Sequence, residues 1–395
     1  MKIALLTNLF PPMLDGVGDY SYHLANELQR IGHTVSIVCK QHPAIGQAVV
    51  DGQFTMSVCA TIPVWNWRAI KPLRLFLNHQ RPEWLLIQYV PNGFQHWAMP
   101  IWLPVLVWLI KLHGIHVGIT FHEVSIRHQL WPLKYELVSL TQRGIAWTLA
   151  RLSDKVVTSI DKYNRQLQGY TSKTIHLIPI SSNIVPTPLT RNEVTATRQT
   201  IAPNGGLIIS TFGIRNQDLL LQVVDRLIQQ LPTLSLLIVG ELRLSESVQP
   251  IYQKLQNQIH ITGYLPNADA YRYLSASDVF FMPDPVTVDG KGGSSNKSTS
   301  LAAGLAAGLR VVGTLGDMNN KLLQQTPGVF LEDATDLNKL TQRLLLLLTD
   351  GSIESQRHAI FRFFDQTLSW KAIAGQYTKA FGWPQPIEND NTSTR

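Results

Sequence analysis

Short apolar runs of strand length alternate with longer amphipathic stretches along most of this sequence. The clearest unit is KIALLTNLF, followed by YSYHLANELQRIG and then by HTVSIVCK. Further strand candidates are continuous in aliphatic and β-branched residues: WLLIQYV, HVGITFH, DKVVTSI and TIHLIPI. Such runs are typical of parallel strands covered on both faces. The alternation therefore predicts βαβ units that wind a parallel sheet between helices.

The alternation stops once and then resumes. After Ser182 the sequence is rich in Pro, Thr, Asn and Gly without a sustained period, and LIISTFG, a helix from about Asp218 to Gln230, SLLIVGE, IHITGYL, DVFFMPD and RVVGT follow. A chain of 395 residues, 45% of them apolar, can supply two cores. We expect an α/β protein of two Rossmann-like, doubly wound domains facing an interdomain cleft. The expected boundaries are 1–184, a linker at 185–204, 205–368, a helix at 369–384 packing back on the first domain, and a tail at 385–395.

Composition narrows the classes of partner. Charged residues at 15% and aromatic residues at 9% exclude a largely disordered protein. The net charge of +7 suits an anionic partner such as a nucleotide, a phosphate or an acidic lipid, although a mildly basic protein without one has the same balance. We expect no nucleic acid partner. The two cysteines, Cys39 and Cys59, argue against a disulfide framework and suit a reducing compartment.

Location is predicted from two segments. The first ten residues resemble a strand and not a signal peptide, so we expect a cytoplasmic protein. The stretch Trp97–Leu112 is short for a membrane span and contains prolines and a lysine, which favours a buried or interfacial helix. Its tryptophans would suit peripheral association with the inner face of a membrane, but tryptophans in a packed helix give the same pattern.

A glycine-containing loop joins the first strand to the first helix. Gly16, Val17 and Gly18 lie where backbone N–H groups and the helix dipole favour a phosphate, or they shape a tight turn. A dinucleotide fingerprint also needs a third glycine or alanine, where Ser21 stands, and a carboxylate after the second strand, which is missing. An NAD site is therefore disfavoured.

Polar residues follow other strands. In GITFHEV, His122 and Glu123 lie at a strand end, where ligands meet parallel sheets, although His122 could equally be a satisfied structural histidine. Asp19, Tyr89 and Glu123 are candidates for the acceptor side. Arg215 lies between a strand and a helix, where a guanidinium can clamp a diphosphate or simply be solvated.

The densest signal is DPVTVDGKGGSSNKSTSLAAGLAAGLRVVGT, a polar loop that leads into a small-residue helix and a strand. This loop contains hydroxyls, free backbone amides and one cation, which together predict an anion-binding cradle. A flexible loop is the alternative. The phosphate-binding candidates are Gly293, Ser294, Ser295, Asn296, Lys297, Ser298 and Thr299. Gly304 and Gly308 lie four residues apart, which predicts one helix face packed on the sheet. We expect no metal site, because the sequence has no H-x-x-x-H, C-x-x-C or D-x-D motif.

Together these motifs resemble the family 4 glycosyltransferases of the GT-B class over nearly the whole chain. The resemblance rests on FPPMLDGVGDYSYHLANELQRIGHTVSIV, RPEWLLIQYV, SDKVVTSI, HLIPISSNI, ITGYLPNADAYRYLSASDVFFMP and LSWKAIAGQY. It implies a retaining transferase that uses nucleotide-activated sugars. It further implies that the Gly16–Gly18 loop faces the donor phosphates and the acceptor, and that His122 contacts the donor sugar.

The sequence departs from this family in its donor site. Two glutamates separated by seven residues are common there, and Ser295 and Ala303 take those positions, while Arg310 replaces a proline. A family branch with a D-G segment is similar to Asp289-Gly290 through Ala303, and in that reading Lys297 takes over part of the phosphate binding. Arg215 has no nearby lysine of the usual pair.

We therefore expect transfer of a hexosyl unit from a nucleoside diphosphate sugar to a hydroxyl of a glycan or lipid-linked acceptor, in glycan, glycolipid or polysaccharide synthesis. His122, Lys297 and Arg215 are the expected catalytic residues, with no metal or other cofactor. A catalytically weakened relative that binds a nucleotide or glycan is the first alternative. A nucleotide-sugar epimerase or a dehydrogenase is the second.

Overall fold

The computed structural model describes residues 1–126, 133–213, 215–351 and 353–384. The expected tail at 385–395 lies outside them. The chain divides into two compact units. The first comprises Met1–Ser159, Tyr163–Pro179 and the residues from Ile373 onward, and the second comprises Ile160–Lys162 and Ile180–Ala372.

The first unit is built on a parallel sheet, which has seven strands within the described residues, in the order β3-β2-β1-β4-β5-β6-β7. The strands are β1 (Lys2–Leu6), β2 (Thr34–Lys40), β3 (Ser57–Ile62), β4 (Trp84–Tyr89), β5 (His116–Phe121), β6 (Lys155–Thr158) and β7 (Ile175–Leu177). The intervening helices are α1 (Gly16–Arg30), α2 (Pro43–Val50), α3 (Ile70–Gln80), α4 (Trp102–Leu112), α5 (Leu133–Leu152) and α6 (Asp161–Gln168). Every residue of the central strand β4 is buried, as expected for a strand covered on both faces.

The second unit has a parallel sheet of six strands among the described residues, in the order β10-β9-β8-β11-β12-β13. The strands are β8 (Ile208–Phe212), β9 (Ser235–Val239), β10 (Ile259–Ile261), β11 (Val279–Met282), β12 (Arg310–Thr314) and β13 (Val329–Glu332). The helices are α7 (Arg191–Ile201), α8 (Gln217–Ile228), α9 (Gln249–Leu255), α10 (Asn267–Ser275), α11 (Thr299–Ala306), α12 (Lys321–Gln325), α13 (Leu337–Thr349) and α14 (Ile353–Phe363). Two apolar clusters, one on each face of this sheet, form its core.

The last helix, α15 (Trp370–Phe381), begins in the second unit and continues in the first. Within the first unit, the Tyr377 hydroxyl lies 3.0 Å from that of Tyr20 and 2.7 Å from that of Thr120. The Phe381 ring fills the space above Gly118, where an added Cβ would lie 2.3 Å from it. The sequence predicts this helix at nearly the observed bounds.

The structure adds elements that the sequence analysis omitted. The edge strands β3 and β13 were not predicted, although SVCATI and VFLE are as apolar as the edge strands β7 and β10 that were predicted. Helix α7 lies inside the segment interpreted as an aperiodic linker. It begins with a capping box, in which the side chains of Thr190 and Glu193 each bond the other's backbone N–H.

The small-residue helix predicted after the polar loop is α11. Gly304 packs on β11 as predicted, since an added Cβ would lie 3.0 Å from the Phe280 ring. The prediction for Gly308 is wrong. The helix ends at Ala306, and Gly308 has a φ of +70° in the turn beyond it, a conformation that favours glycine.

Candidate functional site

The strand order of the second sheet reverses at the pair β8 and β11. From this pair the chain builds outward to β9 and β10 on one side and to β12 and β13 on the other. In open parallel sheets, ligands bind outside the carboxyl ends of the strands at such a switch point. Arg215 follows β8 there, and Asp284 follows β11.

Arg215 connects the three elements that meet at this point. Its guanidinium forms an ion pair with Asp284 and donates a hydrogen bond to the Ser298 hydroxyl at 2.8 Å. The two charged side chains are only 16% and 11% exposed. The pair is therefore held away from bulk water. The electrostatic attraction between a guanidinium and an anion is stronger there than in water.

Ser298 is also the N-cap of α11. Its hydroxyl accepts a hydrogen bond from the Leu301 N–H at 3.3 Å. A helix leaves its first N–H groups without partners in the preceding turn, and the bonds of the described residues leave those of Thr299 and Ser300 unused. The start of α11 thus brings together two unused N–H groups, the positive end of the helix dipole and the guanidinium of Arg215. This arrangement can hold a phosphate.

The serine-rich loop before α11 is tightly packed. Gly293 has a φ of +82°, and a Cβ there would lie 2.8 Å from the backbone nitrogen of Gly316. The buried Ser294 hydroxyl accepts a hydrogen bond from the Thr314 N–H at 3.0 Å. Ser295 and Asn296 are also buried. The Ser294 side chain therefore fixes the loop against β12, while Asn296 donates to the Asn320 side chain at 3.0 Å and Ser295 accepts from the Lys297 N–H within the loop.

The remaining residues of the cradle differ in exposure. Lys297 is half-buried and directly precedes the cap residue Ser298. Thr299 is half-buried and is the first residue of α11. The structure thus brings Arg215, Ser298 and Thr299 together, with Lys297 adjacent to Ser298 in the chain, and the residues from Ser294 to Asn296 are buried behind them.

Three glycines that the sequence analysis did not single out line the same edge of the sheet. Gly213 and Gly240 directly follow β8 and β9, Gly263 lies two residues after the end of β10, and all three have positive φ. A Cβ on Gly240 would lie 3.6 Å from the Cα of Gly213, and the Gly263 N–H donates to the Gly240 carbonyl at 3.1 Å. A Cβ on Gly213 would lie 3.8 Å from the Ser300 hydroxyl. The signal was available, because each glycine ends an apolar run.

The first sheet has its own switch point, at β1 and β4. The Gly16–Gly18 loop follows β1 and opens α1. Gly18 is required sterically, since a Cβ would lie 2.8 Å from the Leu9 carbonyl oxygen. The Asp15 side chain caps the helix by accepting from the Gly18 N–H at 2.9 Å.

Carboxylates surround that helix start. Burial raises the pKa of Asp15. Burial and, after it, the negative charge of Asp15 raise the pKa of Asp19 to about 6. The N–H groups of Gly18 and Val17 are thus already hydrogen-bonded to the Asp15 carboxylate, so an anion bound there would have to displace Asp15. That the Gly16–Gly18 loop faces the donor stays a prediction.

His122 follows β5 and is buried, with 4% of its surface exposed. Its Nε2 lies 2.8 Å from the Gln88 side-chain oxygen, and its ring meets the Tyr20 ring edge-on at 4.8 Å. Glu123 is half-buried beside it. Tyr89 is completely buried, with its ring against Phe121 at 5.2 Å.

The positions where the resembling family has glutamates hold no carboxylate. Ser295 is buried in the loop, and Ala303 faces the core from within α11. Arg310 is 2% exposed and forms an ion pair with Asp350 at 2.8 Å, so it supports the start of β12. Asp284, which follows β11, is a carboxylate that the structure does place at the switch point.

The comparisons with known proteins agree with this fold. Residues 206–350 match the model of the family described as Glycosyl transferases group 1. This range contains the switch point, the polar loop and α11. A comparison with curated protein sequences finds no match.

Three solved structures show the fold over nearly the whole chain. Sucrose-phosphate synthase from Thermosynechococcus elongatus is 15% identical with a TM-score of 0.65, covering 97% of this chain and 98% of that one. Anabaena HepE in complex with UDP and glucose is 13% identical with a TM-score of 0.64, covering 97% and 99%. UDP-GlcNAc 2-epimerase from Neisseria meningitidis, bound to UDP-GlcNAc, is 12% identical with a TM-score of 0.57, covering 96% and 99%.

At these identities, the similarity to solved structures establishes the fold. The family match covers residues 206–350, and this part of the second unit is similar to the group 1 glycosyltransferases. The chain has the GT-B fold.

Proposed function

We propose that this protein transfers a hexosyl unit from a nucleoside diphosphate sugar to a hydroxyl acceptor, and that it binds the donor diphosphate at the start of α11. The observation that carries the proposal is the convergence of Arg215 and the N–H groups of Thr299 and Ser300 at the switch point of the family-matched unit. Backbone N–H groups at a helix start recognise phosphate by geometry as well as by charge.

The same groups would act on the reaction itself. When the bond between the sugar and the diphosphate breaks, negative charge accumulates on the departing diphosphate. Donors that are already fixed in place stabilise that charge without reorganising. The ion pair with Asp284 and the bond to Ser298 fix Arg215, and Lys297 supplies a second positive charge beside the cap.

The glycines at the strand ends support binding of the rest of the nucleotide. With no side chains at Gly213, Gly240 and Gly263, a flat ring or a ribose can approach the backbone closely. HepE has been solved with UDP-glucose and the Neisseria epimerase with UDP-GlcNAc. UDP-sugars are therefore the first donors to test here.

The first unit is proposed to supply the acceptor side. Asp19 and Glu123 are half-exposed, whereas Tyr89 is completely buried, so we assign acceptor contact to the two carboxylates and a supporting position to Tyr89. Contact of His122 with the donor sugar, retention of configuration and independence from metal remain parts of the proposal. So do a glycan or lipid-linked acceptor, a role in polysaccharide or glycolipid synthesis and a cytoplasmic location.

One observation favours a second candidate, a weakened relative that binds the nucleotide without turnover. No carboxylate stands at Ser295 or Ala303. A hydrogen bond from a ribose hydroxyl to a carboxylate is worth about 1.5–3 kcal/mol, so its loss weakens donor binding by roughly 10- to 150-fold unless other groups replace it. Asp284 and the backbone at the strand ends are the available replacements.

Release of nucleoside diphosphate, measured across UDP-, GDP-, ADP- and dTDP-sugars with glycan and lipid acceptors, separates the candidates. A transferase releases the diphosphate only when acceptor is present, and Lys297→Ala slows that release. Lys291→Ala is the matched control, because Lys291 lies in the same loop and pairs with Asp289 at 2.8 Å. Binding without turnover for every acceptor class would favour the weakened relative. An isomerised sugar nucleotide formed without acceptor would favour an epimerase.

A further inference from the structure

Three polar side chains lie on one face of the first sheet, near the carboxyl ends of β4 and β5. The two strands pair in parallel with Gln88 opposite Thr120, and His122 follows Thr120 by two residues. Side chains alternate between the faces of a sheet, so residues two apart share a face. Gln88 is completely buried, and Thr120 and His122 are each 4% exposed.

The last two residues of β4 hold His122 in place. Its Nε2 lies 2.8 Å from the Gln88 side-chain oxygen. Its backbone N–H donates to the Tyr89 carbonyl at 3.0 Å. The first bond fixes the direction in which the imidazole ring points, and the second fixes the backbone from which it projects.

Two tyrosines cover the same face of the sheet. The Tyr20 ring meets the His122 ring edge-on, with 4.8 Å between the centroids. The Tyr20 hydroxyl donates to the Tyr377 hydroxyl at 3.0 Å, and the latter lies 2.7 Å from the Thr120 hydroxyl. Burial raises the pKa of Tyr20 well above its usual value and that of Tyr377 to about 12. Both tyrosines are therefore uncharged near neutral pH, and they hold the ring from the side opposite the sheet.

The sequence of β4 indicates that Gln88 is there for its bond to His122. Residues 84–87, which precede it in the strand, are apolar and buried. The Gln88 side-chain nitrogen has no hydrogen-bond partner among the residues that the structure describes, and a buried donor without a partner lowers stability. A methionine or leucine of similar size would avoid that loss. Such a departure from the local pattern is typical of a functional site.

The bond to Gln88 sets where the imidazole carries its proton. A side-chain carbonyl oxygen only accepts hydrogen bonds, so the nitrogen that faces it, Nε2 of His122, must be the protonated one. A neutral imidazole that is protonated on Nε2 has its lone pair on Nδ1. In this form Nδ1 accepts a hydrogen bond from a hydroxyl and cannot donate one. The other tautomer reverses the two roles.

We propose that Gln88 is a positioning residue that fixes His122 as the neutral tautomer protonated on Nε2, and that Nδ1 of His122 accepts a hydrogen bond from a hydroxyl of the donor sugar. The contact with the sugar rests on the proposed function. The location of the proton is a property of the protein alone and is measured without turnover. An amide turned by half a rotation would stabilise the other tautomer, so the location of the proton decides the proposal.

NMR of the full chain labelled with ¹⁵N-histidine measures that location. At about pH 8.5 an ordinary imidazole is neutral, and the nitrogen shifts then distinguish the two tautomers. The chain has 12 histidines, and a His122→Asn variant identifies the signals of His122. The wild type should show a protonated Nε2 and an unprotonated Nδ1. A proton on Nδ1 would overturn the proposal.

Two substitutions of Gln88 separate the effect on the proton from the effect on packing. Gln88→Met keeps a similar volume and removes the acceptor, so the preference for the Nε2–H form should be lost. Gln88→Glu supplies a carboxylate, which only accepts hydrogen bonds, so the proton should stay on Nε2. An unchanged tautomer in folded Gln88→Met would show that another group sets it, and the proposal would fail.

Thr158→Val is the matched control. Thr158 is also completely buried, in the neighbouring strand β6, and its hydroxyl donates to the Phe121 carbonyl at 3.0 Å. The change to valine keeps the shape and removes a bond to the residue before His122. This variant should have the tautomer of the wild type, and circular dichroism should show every variant folded. The same change of tautomer in Thr158→Val and in Gln88→Met would contradict a specific role for Gln88.

Diphosphate release by the same variants tests the contact with the donor sugar. Gln88→Met should lower kcat/KM for the donor about 10-fold, a usual loss when the group that orients a functional histidine is removed, and Gln88→Glu should lose less. Wild-type release by a Gln88→Met protein with an altered tautomer would refute the contact through Nδ1. A wild type that releases no diphosphate would refute the proposed function, and the NMR result would still decide whether Gln88 fixes the tautomer.

Discussion

Replacing Thr299 by proline removes one backbone N–H from the proposed phosphate cradle while keeping the helix. Thr299 is the first residue of α11, the position where proline is best tolerated because its missing N–H has no helical partner. The preceding residue, Ser298, has φ −91° and ψ 115°, the extended conformation that a following proline requires. The change therefore acts on the ligand contact.

The expected loss follows from the bond that is removed. A hydrogen bond from an uncharged donor to a charged phosphate oxygen is worth about 1.5–3 kcal/mol, so the affinity for a nucleoside diphosphate should fall roughly 10- to 150-fold. Thr299→Ala is the control, since it removes the hydroxyl and retains the N–H. The difference between the two variants isolates the backbone amide.

Isothermal titration calorimetry with UDP, GDP, ADP and dTDP measures this difference, using whichever nucleotide binds the wild type. Thermal unfolding of both variants establishes that the fold is intact. If Thr299→Pro and Thr299→Ala bind that nucleotide within about twofold of each other, the Thr299 N–H does not contact the phosphates. Our assignment of the cradle would then be wrong.

Of three further predictions, two concern Gly18 and Asp19 in the first unit and one concerns Arg310 in the second. Gly18→Ala should lower the free energy of unfolding by about 1–3 kcal/mol in a urea titration, because its Cβ would meet the Leu9 carbonyl oxygen at 2.8 Å, whereas Gly16→Ala, with nothing within 4 Å, should cost nothing. The pKa of Asp19 is raised from 3.8 to about 6, so the stability that its protonated form contributes is complete below pH 3.8 and is lost as the pH rises through about 6. The free energy of unfolding of Asp19→Asn should therefore equal that of the wild type at low pH and exceed it by about 1 kcal/mol above neutrality. This difference is smaller than the full pKa shift implies, because Asp19 is partly exposed. An equal difference in the free energy of unfolding at both pH values would refute the raised pKa. Arg310→Ala should cost about 2–4 kcal/mol, since it leaves a cavity and breaks the bonds to Asp350 and the Leu347 carbonyl, and a loss under about 1 kcal/mol would show that these bonds contribute little.

The sequence predicts the sheets well because their central strands are continuous apolar runs. Strands β3 and β13 lie at sheet edges and were omitted, whereas the edge strands β7 and β10, which bury none of their residues, were predicted from the apolar runs TIHLIPI and IHITGYL. Helix α7 was hidden by its composition, and its capping box was the local signal that could have revealed it.

The candidate site was harder to predict than the fold. The sequence indicates that hydroxyls cluster before α11, but it does not show which of them are used for packing. Ser294 and Asn296 are buried, while Ser298 caps the helix and binds Arg215. The partner of Arg215 is Asp284, which lies 69 residues away and enters only through the strand order.

A structure of the protein with bound UDP, or with whichever nucleoside diphosphate binds, tests the central claim most directly. We predict that the diphosphate oxygens accept hydrogen bonds from the Thr299 and Ser300 N–H groups and lie beside the Arg215 guanidinium. Phosphates bound instead at the Gly16–Gly18 loop, with the start of α11 unoccupied, would contradict the claim.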